Sequence, residues 1–340
     1  MSVLPKGKLT TRAGKPIMQL TEKQIKLCME CGVCTGSCPV SYHLESFSPR
    51  QIIKRTLVDG DESFIHGHDV WACLSCGRCS ERCPVGIDFP EFIRTHREMA
   101  RQEGNPPRLA HHGIFQSIAR LQDSGLKQHR TAWAEGAGKY GQTGDVFYFV
   151  GCLPYFDVTF QYLGLSCIQS ARSALTLLNA LGIEPVISNN ERCCGHDALW
   201  TGNEELFHEL AKWNLDLIRE SGAKKVLFNC PEGYMVFKRT MPAIFGELPF
   251  EVEHMSQFLA REIPSSGLVF SPSVNGAVTY HDPCRLGRWS SIYEEPRELA
   301  GLIPGAGLKE MDRNRENALC CGTTAWMECS SCSKAMQIER

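Results

Sequence analysis

The chain has 340 residues, 43% of them hydrophobic, which is enough material for two or three cored domains. Its formal charge is −2 and its isoelectric point near 6.6, so it lacks the basic excess of a nucleic-acid binder. Cysteine is the anomaly, with 18 residues. A secreted disulfide scaffold of that density would be small and would follow a signal peptide. The opening MSVLPKGKLTTRAGKP has no apolar core, and no apolar run is long enough to cross a membrane. A reducing, cytoplasmic compartment is therefore expected, where cysteines at short regular spacing are metal ligands more often than disulfides.

In chain order, residues 1–20 are basic, with Gly and Pro, and are expected to form an extended arm. Residues 21–104 form the first domain and hold eight cysteines in two runs. Between the runs, SPRQIIKRTLVDG reads as an amphipathic helix with a Ser start and a Gly stop. FPEFIRTHREMARQEG reads as a second helix, ending at Gly104. Residues 105–144 are expected to be a helical linker, with IFQSIARLQDSGL helical and the end Gly-rich.

From residue 145 strands alternate with helices, as parallel βαβ units require. DVFYFVGC reads as a buried strand running into Cys152. CIQSARSALTLLNALG is helical, IEPVIS is a second strand leading to Cys193-Cys194-Gly195, and residues 203–222 form a helix. KKVLFNCP is a third strand leading to Cys230. The pattern then restarts. AVTYHDPC is a strand running into Cys284, EEPRELAGLIPG is helical, and Cys320-Cys321-Gly322 follows. The expected modules are 145–264 and 265–340. The second copy ends inside a helical segment before it reaches a third strand, and the sequence is expected to be a shortened version of a longer polypeptide.

Cys28, Cys31, Cys34 and Cys38-Pro39, and again Cys73, Cys76, Cys79 and Cys83-Pro84, match the bacterial ferredoxin run. Three thiolates at i, i+3 and i+6 wrap three corners of one cubane, and the fourth, before proline, caps the other. One [4Fe–4S] cluster should use Cys28, Cys31, Cys34 and Cys83; the other should use Cys73, Cys76, Cys79 and Cys38. Gly32 and Gly77 fall where backbone must come close to sulfide. Zinc would favour four ligands in two separated pairs, which this spacing does not offer.

Adjacent cysteines are too strained for an ordinary disulfide but can both ligate one multi-metal cluster. Each CCG pair follows a strand, as Cys152 and Cys284 do, and the ends of parallel strands converge on one edge. Cys152, Cys193, Cys194 and Cys230 should therefore meet, and so should Cys284, Cys320 and Cys321. Cys167 is read as an apolar cysteine within a helix. Cys329 and Cys332 are read as helix-face cysteines.

This arrangement resembles the catalytic subunit of membrane-type heterodisulfide reductase (HdrD-like), and with it the DsrK-like subunit of sulfite-reduction complexes. The iron–sulfur subunits of anaerobic glycerol-3-phosphate dehydrogenase and glycolate oxidase are also similar. The resemblance covers residues 21–340. It implies an α+β protein: an N-terminal α-helical dicluster ferredoxin domain, then two tandem α/β CCG modules with short parallel sheets, the second incomplete. A complete module in that family implies five cysteines holding a noncubane [4Fe–4S] cluster that cleaves a disulfide in two one-electron steps. Carried over, Cys284, Cys320 and Cys321 match the second module as catalytic ligands, with the remaining pair beyond residue 340. In the first module Cys152, Cys193, Cys194 and Cys230 match, but Gly233 stands where the fifth cysteine belongs. The first module is left with an ordinary cluster, zinc, or nothing, and the second is favoured as the active one.

His281, in Tyr-His-Asp-Pro-Cys, is read either as a proton donor to a leaving thiolate or as a structural hydrogen-bonding residue. His196, directly after CCG, is read first as a hydrogen-bonding residue. Arg285 and Arg288 are read either as attractors of an anionic substrate or as a solvated surface pair. His66, His68, His111 and His112 are read as structural. The implied activity is an iron–sulfur oxidoreductase subunit that reduces a disulfide/thiol coenzyme. The alternative is an electron-transfer subunit between a flavoprotein dehydrogenase and membrane quinone. A third reading makes the CCG modules a zinc-holding scaffold. No G-x-G-x-x-G follows a strand, so the donor is expected on a partner, a flavoprotein or a membrane b-type cytochrome subunit. Through such a partner the cytoplasmic chain would attach to the inner face of the membrane.

Overall fold

Two short parallel sheets form, one of largely buried strands and one of largely exposed strands. The computed structural model describes residues 25–57, 59–61, 63–271 and 276–328. The expected N-terminal arm lies outside the described residues, as do Cys329, Cys332 and the helix expected around them. The chain divides into two compact units. One takes the chain up to Gln116, then Asp197–Glu204 and the chain from Arg315. The other takes Ser117–His196 and Glu205–Asn314.

The first unit is helical. Its longest helix, Phe89–Gln102, starts where the Asp88 side chain accepts from the Glu91 N–H at 3.2 Å. Its inner face buries Phe89, Phe92, Ile93 and His96 against Phe47 and Phe64. Each such phenyl group contributes roughly 2–3 kcal/mol. Arg97 is fully buried on the same helix and donates to the carbonyls of Val70, Trp200 and Cys73. It ties the segment before the second cysteine run to this helix.

The second unit is built on a three-stranded parallel sheet of order β1-β2-β3, with β1 Val146–Phe149, β2 Lys225–Phe228 and β3 Glu251–His254. The apolar residues of β1 and β2 are buried on both faces, so these two strands read as continuous apolar runs, whereas β3 alternates as Glu-Val-Glu-His. Tyr148 and Leu227 face a core of Leu175, Leu178, Ile187 and Phe258. Phe149, Phe228 and Phe237 pack with ring centroids 4.9–5.1 Å apart. A second sheet pairs β4 Gly276–Val278 in parallel with β5 Ala306–Leu308.

These elements match the expected α+β class, with three local corrections. IEPVIS is not a strand: it makes only isolated bridges, both at Val186, one to Phe147 and one to Gly141, and the Val186 N–H donates to the Val146 carbonyl at 2.7 Å. Pro185 has no N–H with which to extend a ladder. The strand expected to reach Cys284 stops at Val278, and Pro283 lies in the irregular stretch that follows. Cys167 precedes its helix, which begins at Gln169. Strand β3 and strand β5 were not anticipated; both are short, and Glu251 and Gly307 break an apolar reading. Among the described residues no helix is long and apolar enough to cross a membrane.

Candidate metal centres

In the first unit the eight ferredoxin-type cysteines line two cavities. Cys28, Cys31, Cys34 and Cys83 line one, together with Cys79. Cys38, Cys73, Cys76 and Cys79 line the other. The pre-proline cysteine of each run thus lines the cavity of the other run, and Cys79 lines both.

The two loops share one shape. Gly32 and Gly77 are left-handed, at φ +79° and +75°, and each starts a one-turn helix carrying the third cysteine. Glu30 and Ser75 are left-handed as well, at φ 51° and 46°, which non-glycine residues adopt at a cost of about 1–3 kcal/mol. That geometry turns the Ser75 N–H onto the Cys73 sulfur at 3.3 Å. The two sets differ in exposure: Cys73, Cys76 and Cys79 are buried, whereas Cys31 is exposed.

The donor set shows what the cavities suit. Burial pushes the Cys73 thiol up to about 12, against the pull of Arg97. Burial, with Cys76 next, pushes Cys38 up to about 11, and Cys79 rises well above the ordinary range for the same first reason. Thiols in such a setting stay neutral unless a cationic metal core deprotonates them. Thiols gathered around one space, with an N–H aimed at sulfur, fit an iron–sulfur cluster.

In the second unit three chain reversals deliver the cysteines of the first CCG motif. Cys152 follows β1 and caps the helix Leu153–Phe160. Cys193 and Cys194 follow the Val186 bridge. Cys230 follows β2 and caps the helix Pro231–Met235. The thiols interact: Cys193 is pulled well down by hydrogen bonds from Cys152 and then Cys194, while Cys194 is pushed well up by its bond to Cys193 and by burial. Cys230 acts on Cys194 from the same space.

Gly195 must be glycine. Its φ is +82°, and a Cβ would stand 2.7 Å from the Phe207 ring. Gly233 also packs tightly, since a Cβ there would meet the Phe228 ring at 3.2 Å and the Cys194 Cβ at 3.9 Å. His196 is buried, and burial pushes it down to about 4, so it is a neutral imidazole. Its Nδ1 lies 3.6 Å from the Glu232 carboxylate, and the Arg285 charge acts on it. Arg285 is 4% exposed, which rules out the solvated-surface reading for that residue.

The second motif is divided. Cys284 and His281 are half-buried and belong to the second unit, while Cys320 and Cys321 belong to the first. Sequence reasoning missed what fixes each part. Asp282, between His281 and Cys284, accepts two 2.8 Å hydrogen bonds from buried Arg297, which also pairs with Glu310. In the first unit, Thr324 shares a buried 3.0 Å hydrogen bond with Ser75, so the CCG loop packs on the second ferredoxin-type loop. Arg78 and Arg82 both donate to Asn317, and Gln116 to the Ala325 carbonyl at 2.9 Å.

Comparison with known proteins agrees with this geometry. Residues 24–87 match the 4Fe-4S dicluster domain family, and residues 146–238 and 278–339 match the CCG cysteine-rich domain family. The chain is 29% identical over 333 residues to a subunit of the dihydromethanophenazine:CoB–CoM heterodisulfide reductase of Methanosarcina barkeri, covering 88% of this chain and 78% of the relative. It is 35% identical over 201 residues to the corresponding subunit of Methanosarcina mazei, covering 58% of this chain and 47% of the relative, about half its length. The EtfAB:quinone oxidoreductase of Syntrophomonas wolfei is 28% identical over 257 residues, covering 70% of this chain and 34% of the relative.

Proposed function

Because this chain belongs to the CCG-domain iron–sulfur proteins, a family that includes a heterodisulfide reductase subunit, we propose that it is the disulfide-reducing subunit of a redox complex. The coarse assignment, an iron–sulfur oxidoreductase with a dicluster domain, follows from the family matches. The finer assignment names the residues. Cys28, Cys31, Cys34 and Cys83 hold one [4Fe–4S] cluster, and Cys73, Cys76, Cys79 and Cys38 hold the other. Cys152, Cys193, Cys194 and Cys230 hold a further cluster. The second CCG motif, which carries Cys284 and the Cys320-Cys321 pair, is the reactive one. The supporting observation is the Ser75–Thr324 hydrogen bond, because it sets the Cys320-Cys321 loop against the loop of Cys73 and Cys76.

When bound, the clusters supply electrons one at a time, whereas a disulfide takes two electrons and two protons to give two thiols. The electrons come from a partner, a flavoprotein or a membrane b-type cytochrome subunit. This chain's residues hold ligands, exclude water and move protons. Cys320 is 1% exposed and Cys321 is exposed, so the pair has one sheltered and one accessible sulfur. His281 is the proton donor, its loop anchored through Asp282 to Arg297.

A second reading has its own observation. The EtfAB:quinone oxidoreductase relative supports a role in passing electrons from a flavoprotein dehydrogenase to quinone. One experiment separates the two. After oxidation in the presence of a thiol coenzyme, the disulfide reading expects a new paramagnetic signal that depends on the thiol. If thiol addition leaves the spectrum unchanged while a reduced flavoprotein still reduces both ferredoxin-type clusters, the electron-transfer reading stands instead.

A further inference from the structure

Residues 122–130 read as linker from sequence, yet they lie directly behind the first CCG site. Glu191, two positions before Cys193, is fully buried. Its carboxylate accepts from the Val150 N–H at 3.0 Å, the Gly151 N–H at 2.8 Å and the Arg130 guanidinium at 2.7 Å. Arg130 is also buried, donates to the Gly151 carbonyl as well, and lies 5.6 Å from the Tyr155 ring centroid. Gln122 accepts the Cys193 N–H at 2.6 Å, and Asn214 bonds the backbone of both Arg192 and Cys193. One ion pair therefore joins the chain reversal that carries Cys152 to the one that carries Cys193 and Cys194.

We propose that Arg130 and Glu191 are the positioning pair of the Cys152, Cys193, Cys194 and Cys230 site, and that their opposed charges set the potential of the iron–sulfur cluster held there. This rests on reading those four thiols as a cluster site. Burying an ion pair gains little stability over an apolar pair of the same volume. Stability alone thus does not explain charged groups at this place. Three acceptor contacts on one carboxylate fix the spacing of two ligand loops, which hydrophobic packing would fix less sharply. The arginine charge also reaches Cys193, where it favours the thiolate that a metal ligand must be. Groups placed behind the ligands in this way orient them and tune the metal they hold.

The test uses the full chain, purified anaerobically, with iron, zinc and sulfide assayed and every paramagnetic signal titrated against potential. Glu191→Ala removes the staple, and about four iron atoms per chain should be lost while both ferredoxin-type signals remain. Glu191→Gln keeps an acceptor oxygen but removes the negative charge. It should retain the iron and raise the midpoint potential of a single signal. Arg130→Lys keeps the charge and should leave that midpoint near the wild-type value. If Glu191→Gln moves no midpoint, or Glu191→Ala keeps all its iron, the pairing is overturned. Wild-type protein with zinc here, or with no iron beyond the ferredoxin-type sites, overturns the cluster reading itself.

Discussion

Glu98 illustrates how much one half-buried residue can bias this fold. Burial, and then the neighbouring Glu204 carboxylate, push its carboxyl up to about 7, and the two share a hydrogen bond beside Arg94. Between roughly 4.5 and 7 the folded chain therefore holds a proton that the unfolded chain has released. The contribution is fully present below the lower value and is lost as pH rises through the upper one. Glu98→Gln keeps a donor at every pH, so its melting temperature relative to wild type should climb from pH 5 to pH 8. A difference that stays flat across that range contradicts the assignment. Gly195 makes a steric prediction. Gly195→Ala places a Cβ in a left-handed conformation against Phe207 and should cost at least about 2 kcal/mol by denaturant unfolding. A near-neutral result would mean that the CCG turn is not held as described.

At the scale of elements, the seam between the Ser75 loop and the Thr324 loop is the contact on which the proposed electron path depends. A double-mutant cycle with Ser75→Ala and Thr324→Val should give a coupling near 1 kcal/mol. Additive effects would mean that the two loops do not support each other. This contact was not legible in the sequence, because two polar residues hundreds of positions apart carry no periodic or spacing signal. The cysteine loops were legible, because metal ligation imposes spacing on neighbouring residues. So were β1 and β2, whose apolar runs are buried on both faces. The strand expected at residues 183–188 failed on Pro185, whose missing N–H confines pairing to isolated bridges at Val186. Buried Arg97 had a readable sign: Ile93, Arg97 and Ala100 share one helical face by spacing. The left-handed Glu30 and Ser75 could have been paired by their matching places in the two runs. Nothing local marked Arg130, Glu191 or the Asp282–Arg297 pair.

For the whole molecule, the chain is proposed as the cysteine-borne part of an electron path, with two ferredoxin-type sites serving a duplicated CCG region. The first copy gathers four thiols at the ends of β1, the Val186 bridge and β2. The second is proposed as the reactive site, and the loop that follows its Cys320-Cys321 pair is hydrogen-bonded, through Thr324, to Ser75 of the second ferredoxin-type loop. The most direct test follows paramagnetic signals of the full chain, reduced and then oxidised with a thiol coenzyme present. The expected result is a thiol-dependent signal that Cys321→Ser abolishes, while both ferredoxin-type signals persist. A thiol-dependent signal that survives Cys321→Ser, or none in the wild-type protein, would contradict a disulfide-reducing role for the second CCG site.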